Sequence, residues 1–224
     1  MKPVILRSDF TDYYDSYFDD PSSISPLVFE RFTHKGMKRS EILGFLARNG
    51  FSVPKHGIIK NIGKWAPHLR DNQHVILYLD EKSHQGKNKL LMTVGEALKN
   101  HPDHLAAEFV GTSENKSSGR RLVQIGLKYF WIDLQSDDWR ASSGNVKPSI
   151  RKYGNSTQSN LLYPLYAIDF VPVTVSGNEI LYAVDFSSAP IVGEYGINEI
   201  LNAETAAREI KQMVNVFQTS LVSR

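Results

Sequence analysis

Asp169 and Asp185 lie equidistant from a single glycine, Gly177, in the most strand-like stretch of the chain. The run Leu165–Val171 leads in and Glu179–Phe186 leads out, both rich in β-branched and aromatic residues. Ser176-Gly177-Asn178 between them reads as a hairpin turn. A loop of those residues pairs Val175 with Glu179, and counting outward sets Asp169 directly opposite Asp185. Like charges placed opposite one another destabilise a sheet. Their same-face neighbours Ala167, Val171, Leu181 and Ala183 are apolar, and the other face carries Tyr166, Ile168, Phe170, Ile180, Tyr182 and Val184. Two carboxylates in such surroundings need a cation or a shared proton. The expected chemistry is cation binding, with a buried proton-sharing acid pair as the alternative.

The elements that must hold this pair are those of an ordinary globular chain. Its 224 residues suffice for a substantial core, with 41% hydrophobic and 22% charged residues. There is no cysteine, which excludes disulfides, thiolate metal sites and a cysteine nucleophile. No apolar run approaches the roughly 18–20 residues that span a bilayer, and the stretch Val4–Leu6 is too short for a secretory signal. These features point to a cytoplasmic protein without a membrane partner. The net charge of +2 selects no partner. The basic clusters Lys35–Arg39 and Lys116–Arg121 have the residue types to touch phosphates, and equally read as solvated turns.

Residues 1–37 read as a short strand, Pro3–Leu6, followed by an acidic and aromatic segment, Asp9–Asp20, which is either a metal or substrate cluster or a helix start. Residues 38–224 form the main region. Ser40–Asn49 reads as a helix with Ser40 as N-cap and Gly50 as stop. His74–Leu79 is a strand ending in the polar turn Asp80–Lys89, and Thr93 with Glu96 opens a helix through a capping box. Leu105–Val110, Arg121–Ile125 and Lys128–Leu134 are further strands. Gln135–Asn160 reads as a long loop, and a terminal amphipathic helix runs from Ala203 to Phe217. The mixture, with its antiparallel hairpin, is an α+β class. The seven histidines show no ligand spacing.

The order of these pieces resembles the ATP-grasp ligases, the superfamily of D-alanine–D-alanine ligase, glutathione synthetase and the ribosomal-protein glutamate ligases. The likeness is clearest in Ala167-Ile168-Asp169-Phe170, Tyr182-Ala183-Val184-Asp185-Phe186-Ser187-Ser188-Ala189-Pro190 and Gly193–Ile197, followed by the last helix. The resemblance implies antiparallel sheets with packed helices, and ATP and Mg²⁺ as cofactors. Asp169 and Asp185 would hold the metal, with Ser187 where the family has asparagine. Ser40–Pro54 resembles the helix and exit before the nucleotide-binding subdomain, and Lys38 lies near the place of a phosphate-binding lysine. The strand lysine expected before the glycine loop is absent, with Tyr78 and Leu79 in its place, so that Lys82, Lys87 or Lys89 would supply the charge. Ala107–Val110 resembles the hinge at the adenine, which makes Glu108 a nucleotide contact, and Arg120 or Arg121 takes the following strand's arginine position. Arg140 resembles the arginine at the transferring phosphate. The substrate-binding half is expected to be reduced.

The implied activity is a carboxylate–amine ligase acting through an acyl phosphate, with a small molecule or peptide supplying the carboxylate and an amine as acceptor. A nucleotide-binding relative without catalysis is the alternative, on the missing lysine and Ser187. A nucleic-acid module built on Lys116, Arg120, Arg121, Tyr129, Phe130, Trp131 and Trp139 is a third reading, disfavoured by the small net charge.

Overall fold

The computed structural model describes residues 37–82, 88–111, 115–140, 144–161, 163–187, 190, 195–202, 204–206 and 208–213. Strand Pro3–Leu6 and the acidic segment Asp9–Asp20 lie outside them. In chain order the elements are α1 (Arg39–Arg48), β1 (His56–Ile58), a 3-10 turn (Ile59–Asn61), α2 (Ile62–Trp65), β2 (His74–Tyr78), β3 (Lys89–Thr93), α3 (Val94–Asn100) and β4 (Leu105–Glu108). There follow β5 (Ser117–Ile125), β6 (Lys128–Ser136), β7 (Lys147–Asn155), β8 (Leu165–Val175), β9 (Asn178–Ser187) and α4 (Ile197–Ile200). Helical backbone resumes at 204–206 and 208–213.

The strands form two antiparallel sheets, one of four strands in the order β1-β4-β2-β3 and one of five in the order β7-β6-β5-β8-β9. This is the α+β class expected. Tyr166, Ile168 and Phe130 of the large sheet, Leu46 of α1, and Ala206 and Ile210 of the last helical segment share one apolar core. A smaller core joins Val75, Leu77 and Ala106 of the small sheet to Val94 and Ala97 of α3. Among the described residues no helix is long and apolar enough to cross a membrane.

The hairpin around Gly177 reaches the predicted pairing by a different route. Ser176 and Gly177 alone form the turn, both with positive φ, 51° and 81°. That is the geometry whose twist suits a two-residue hairpin. Val175 therefore faces Asn178, one residue short of the expected register. A bulge between Asp169 and Phe170 on β8 and their partners on β9 restores the count, and Asp169 faces Asp185.

Other expectations are corrected. Gln135–Asn160 is not a loop throughout, because β6 runs on to Ser136 and β7 pairs with it from Lys147. The β7 side chains are nearly all exposed, so an edge strand ordered by its backbone ladder carries no apolar alternation to read. The polar turn after β2 returns as β3, with Tyr78 facing Lys89. Helix α1 begins one residue early, with Lys38 as N-cap and its N–H donating to Glu41 at 2.7 Å. Ser40 instead donates through Oγ and its backbone N–H to the Glu81 carboxylate.

The Thr93 capping box forms as expected. Glu96 N–H donates to Thr93 Oγ1 at 3.3 Å, and Thr93 N–H donates to the Glu96 carboxylate at 3.0 Å. Thr93→Ala is expected to lower stability by about 1 kcal/mol in chemical denaturation, without changing the slope of the transition. An unchanged midpoint would count against the cap.

Candidate functional site

A cleft opens between the two sheets and, with the solvent at its mouth, encloses about 1050 Å³. Ile76, Tyr78 and Lys89 of the small sheet form one wall, and the connection Phe109–Gly111 after β4 forms its back. The large sheet supplies Arg120, Leu134, Asp169, Phe170 and Asp185. Trp139 and Arg140 lie at the side, with the Trp139 ring edge-on to Phe109 at 6.4 Å.

Asp169 and Asp185 of the cleft lining belong to a row of charges across three neighbouring strands. Arg121 on β5 pairs in register with Asp169 on β8, which pairs with Asp185 on β9. Paired residues share a sheet face, so the three side chains emerge together. Arg121 grips Asp169 in a two-pronged ion pair, Nε to Oδ1 at 2.6 Å and Nη2 to Oδ2 at 2.8 Å. Its Nη1 donates to the Tyr195 hydroxyl at 3.1 Å, and the guanidinium lies 5.1 Å from the Tyr195 ring centre.

Asp185 has its own guanidinium. Arg39, at the start of α1, is 1% exposed and reaches Asp185 Oδ1 at 2.6 Å and Oδ2 at 3.1 Å, while also donating to the Val184 carbonyl. Its Nε is buried without a partner. Burial raises the pKa of Asp185, but the Arg39 charge and hydrogen bonds, helped by Lys89, bring it net below the ordinary carboxylate value. Burial works against the Arg39 charge too, and Asp185 more than offsets it, so that Arg39 is held protonated. Tyr78, behind this pair, is pushed up by burial to about 12 and stays neutral.

Lys89 is the exception. It lines the cleft, lies 5.6 Å from the Tyr78 ring centre, and has no carboxylate within ion-pair distance among the described residues. Burial, then the Arg39 charge, lowers its pKa to about 8 against the pull of Asp185 and Asp169. A lysine in this condition is primed for an anion, which would relieve both penalties. Of the three lysines expected to supply the missing strand lysine's charge, Lys89 lies in the cleft lining, on the returning strand.

The other expected residues are placed as follows. Arg140 lines the cleft and is held by Asp138, Nε to Oδ1 at 2.8 Å and Nη2 to Oδ2 at 2.7 Å, which keeps Arg140 protonated and lowers Asp138. Arg120 lines it while bound to Asp133 and Glu179. Glu108 lines it, with its carboxylate on His68 at 2.9 Å. Lys38 and Lys82 are exposed and outside the cleft lining. Lys87 lies outside the described residues. Ser187 faces Ala167 at the end of the hairpin, also away from the cleft lining. The nucleic-acid platform does not form: Tyr129 and Phe130 are buried in the core, and Arg121 is committed to Asp169.

Mg²⁺ was the cation expected between Asp169 and Asp185, and the donor set does not fit it. Every oxygen of the two carboxylates already accepts from a guanidinium. A dication wants near-octahedral oxygen ligands at about 2.0–2.1 Å. Here it would enter a cluster whose acids are neutralised and which holds the further charge of Lys89. Among the described residues, no group of three or more His, Asp or Glu side chains is arranged to hold a metal.

No protein-family model matches the sequence, and no curated protein matches it. Solved structures do. D-alanine–D-alanine ligase from Bacillus anthracis superposes with a TM-score of 0.50 at 7% identity, over 83% of this chain and 69% of the ligase. The chain has the ATP-grasp fold. An ATP-grasp ligase of Chryseobacterium gregarium, associated with RiPPs and solved with ADP and a leader and core peptide, gives 0.46 at 13% identity, covering 85% of this chain and 61% of that one. A RimK-domain ATP-grasp protein of Sphaerobacter thermophilus gives 0.43 at 14%, covering 84% and 69%. Two residues that hold the charged row beside the cleft were not read from the sequence as site residues. Arg39 stood in a basic cluster equally readable as a turn, and Tyr195 in a loop; only the register of β5 against β8 could have paired Arg121 with Asp169.

Proposed function

We propose that the cleft binds ATP, with the base between Ile76, Phe109 and Leu134 and the polyphosphate toward Lys89 and Arg140, and that the protein is a carboxylate–amine ligase. The observation that carries this reading is Lys89, a desolvated cation without a carboxylate of its own among the described residues, in a cleft whose lining also holds the apolar Ile76, Phe109 and Leu134. The γ-phosphoryl group of ATP would pass to a substrate carboxylate, leaving ADP, and an amine would attack the acyl phosphate, releasing phosphate and forming an amide. Such chemistry asks the protein for positioning and neutralised charge, which Lys89 and Arg140 can supply. The acid is carried by a small molecule or a peptide.

A second reading, a nucleotide-binding protein without catalysis, is favoured by the guanidinium pairing of both acids. Calorimetry with ATP, ADP and GTP, followed by ADP release across a panel of acids and amines, tests both. Binding with acid- and amine-dependent ADP release is expected. Binding without release would leave the second reading standing, and no nucleotide binding would remove both.

A further inference from the structure

The two aspartates that an ATP-grasp fold would give to a metal are each committed to an arginine. Both pairs use two prongs, Arg121 on Asp169 at 2.6 and 2.8 Å and Arg39 on Asp185 at 2.6 and 3.1 Å. The arginines come from different places, the neighbouring strand and the first turn of α1, so neither pair is an accident of one loop. Arg39 is fully enclosed, between Asp185, the Val184 carbonyl and the Tyr78 ring. To free Asp185 for a metal, a buried cation would have to give up its counter-ion, which is strongly unfavourable. Arg140 and Arg120, the guanidiniums that line the cleft among the described residues, are paired with Asp138 and with Asp133 and Glu179. Asp169 and Asp185 are thus matched within the protein, and among the described residues Lys89 is the cleft cation without a carboxylate partner.

We propose, building on the nucleotide reading above, that this cleft takes a nucleoside polyphosphate as its metal-free anion. Lys89 contacts the phosphates, and Asp169 and Asp185 serve as holders of Arg121 and Arg39 rather than as metal ligands. The electrostatics favour this form of the ligand. A magnesium complex would carry its dication toward a charged row without a spare carboxylate, whereas the free anion meets the surplus charge of Lys89 and the partial charges of guanidiniums already oriented. Asp185 also fixes the start of α1 to β9, so its role is to position Arg39.

The test is calorimetry of ATP and ADP on the full chain, in EDTA and in millimolar Mg²⁺, with Mn²⁺ alone titrated and followed by electron paramagnetic resonance. Dissociation constants within about twofold in the two conditions, or tighter in EDTA, are expected, with no Mn²⁺ bound by the unliganded protein. Tightening of about tenfold or more by Mg²⁺, or Mn²⁺ held by the unliganded protein, would overturn the proposal and leave nucleotide binding intact. Failure to bind in both conditions would remove the nucleotide reading itself and this inference with it. Asp185→Asn adds an independent readout. A lost arginine holder lowers thermal stability and weakens binding equally with and without Mg²⁺, while a lost metal ligand weakens binding with Mg²⁺ alone.

Discussion

Arg39→Ala is expected to cost about 3–5 kcal/mol of folding stability, the scale on which a buried ion pair is missed when one partner is removed. The Arg39 side chain is 1% exposed, and its removal takes from Asp185 the guanidinium that does most to compensate its charge, leaving the Lys89 charge and the Phe186 N–H. It also unpins the start of α1 from β9 and exposes the Tyr78 ring on which the guanidinium lies at 5.6 Å. The pH dependence identifies the cause. Asp185 has a lowered folded-state pKa, with burial opposing the stronger effect of Arg39. Its contribution is therefore complete above the unfolded carboxylate value of about 3.9 and disappears as pH falls through the folded value. The gap between wild type and variant in guanidinium denaturation should be full at neutral pH and shrink in acid. Replacing both partners with apolar residues, Arg39→Met with Asp185→Leu, is expected to recover most of the loss, because the stranded charge is then gone. A single-variant loss below about 1 kcal/mol would mean that the pair is not the buried lock described.

The sequence made the acid pair legible because hairpin chemistry and strand composition are local signals. Ser176-Gly177 announces the turn, and the alternation around it puts Asp169 and Asp185 on one face. Even there the predicted loop was one residue too long, and a β-bulge, which has no composition of its own, made up the difference. The α1 stripe and the Thr93–Glu96 box were legible for the same reason, since helix periodicity and caps act within one turn. What could not be read was held by distant partners. Strand β7 owes its order to the β6 backbone and exposes nearly all its side chains, so nothing in Lys147–Asn155 distinguishes it from a loop. The partners of the acids lie 48 and 146 residues away. A like-charge pair announces only that a cation or a shared proton must be near, and two arginines meet that demand as fully as a metal.

Lys89→Met is expected to make the unliganded protein more stable and to deprive it of its grip on phosphate. Burial, then Arg39, lowers the lysine from its ordinary 10.5 to about 8. Keeping it charged at pH 7 therefore opposes folding, by an amount on the order of 3 kcal/mol. The sign is opposite to that of a paired carboxylate. Between about 8 and 10.5 the unfolded chain binds the proton that the folded chain has released, so wild-type stability rises with pH across that window, and the variant should lack the rise. For the ligand the direction reverses. A polyphosphate prefers the protonated lysine, so wild-type affinity should fall as pH climbs past about 8, while the variant binds weakly and without that slope. A charge-assisted contact of about 1.5–3 kcal/mol corresponds to a loss of roughly 10- to 150-fold in ATP affinity at pH 7. Melting curves and calorimetry on the same two proteins decide the matter. A higher melting temperature with weakened binding marks a residue kept for its ligand at the expense of the fold, the usual signature of a functional site. A melting temperature that falls, or ATP affinity that survives the change, would return Lys89 to the surface as an ordinary lysine.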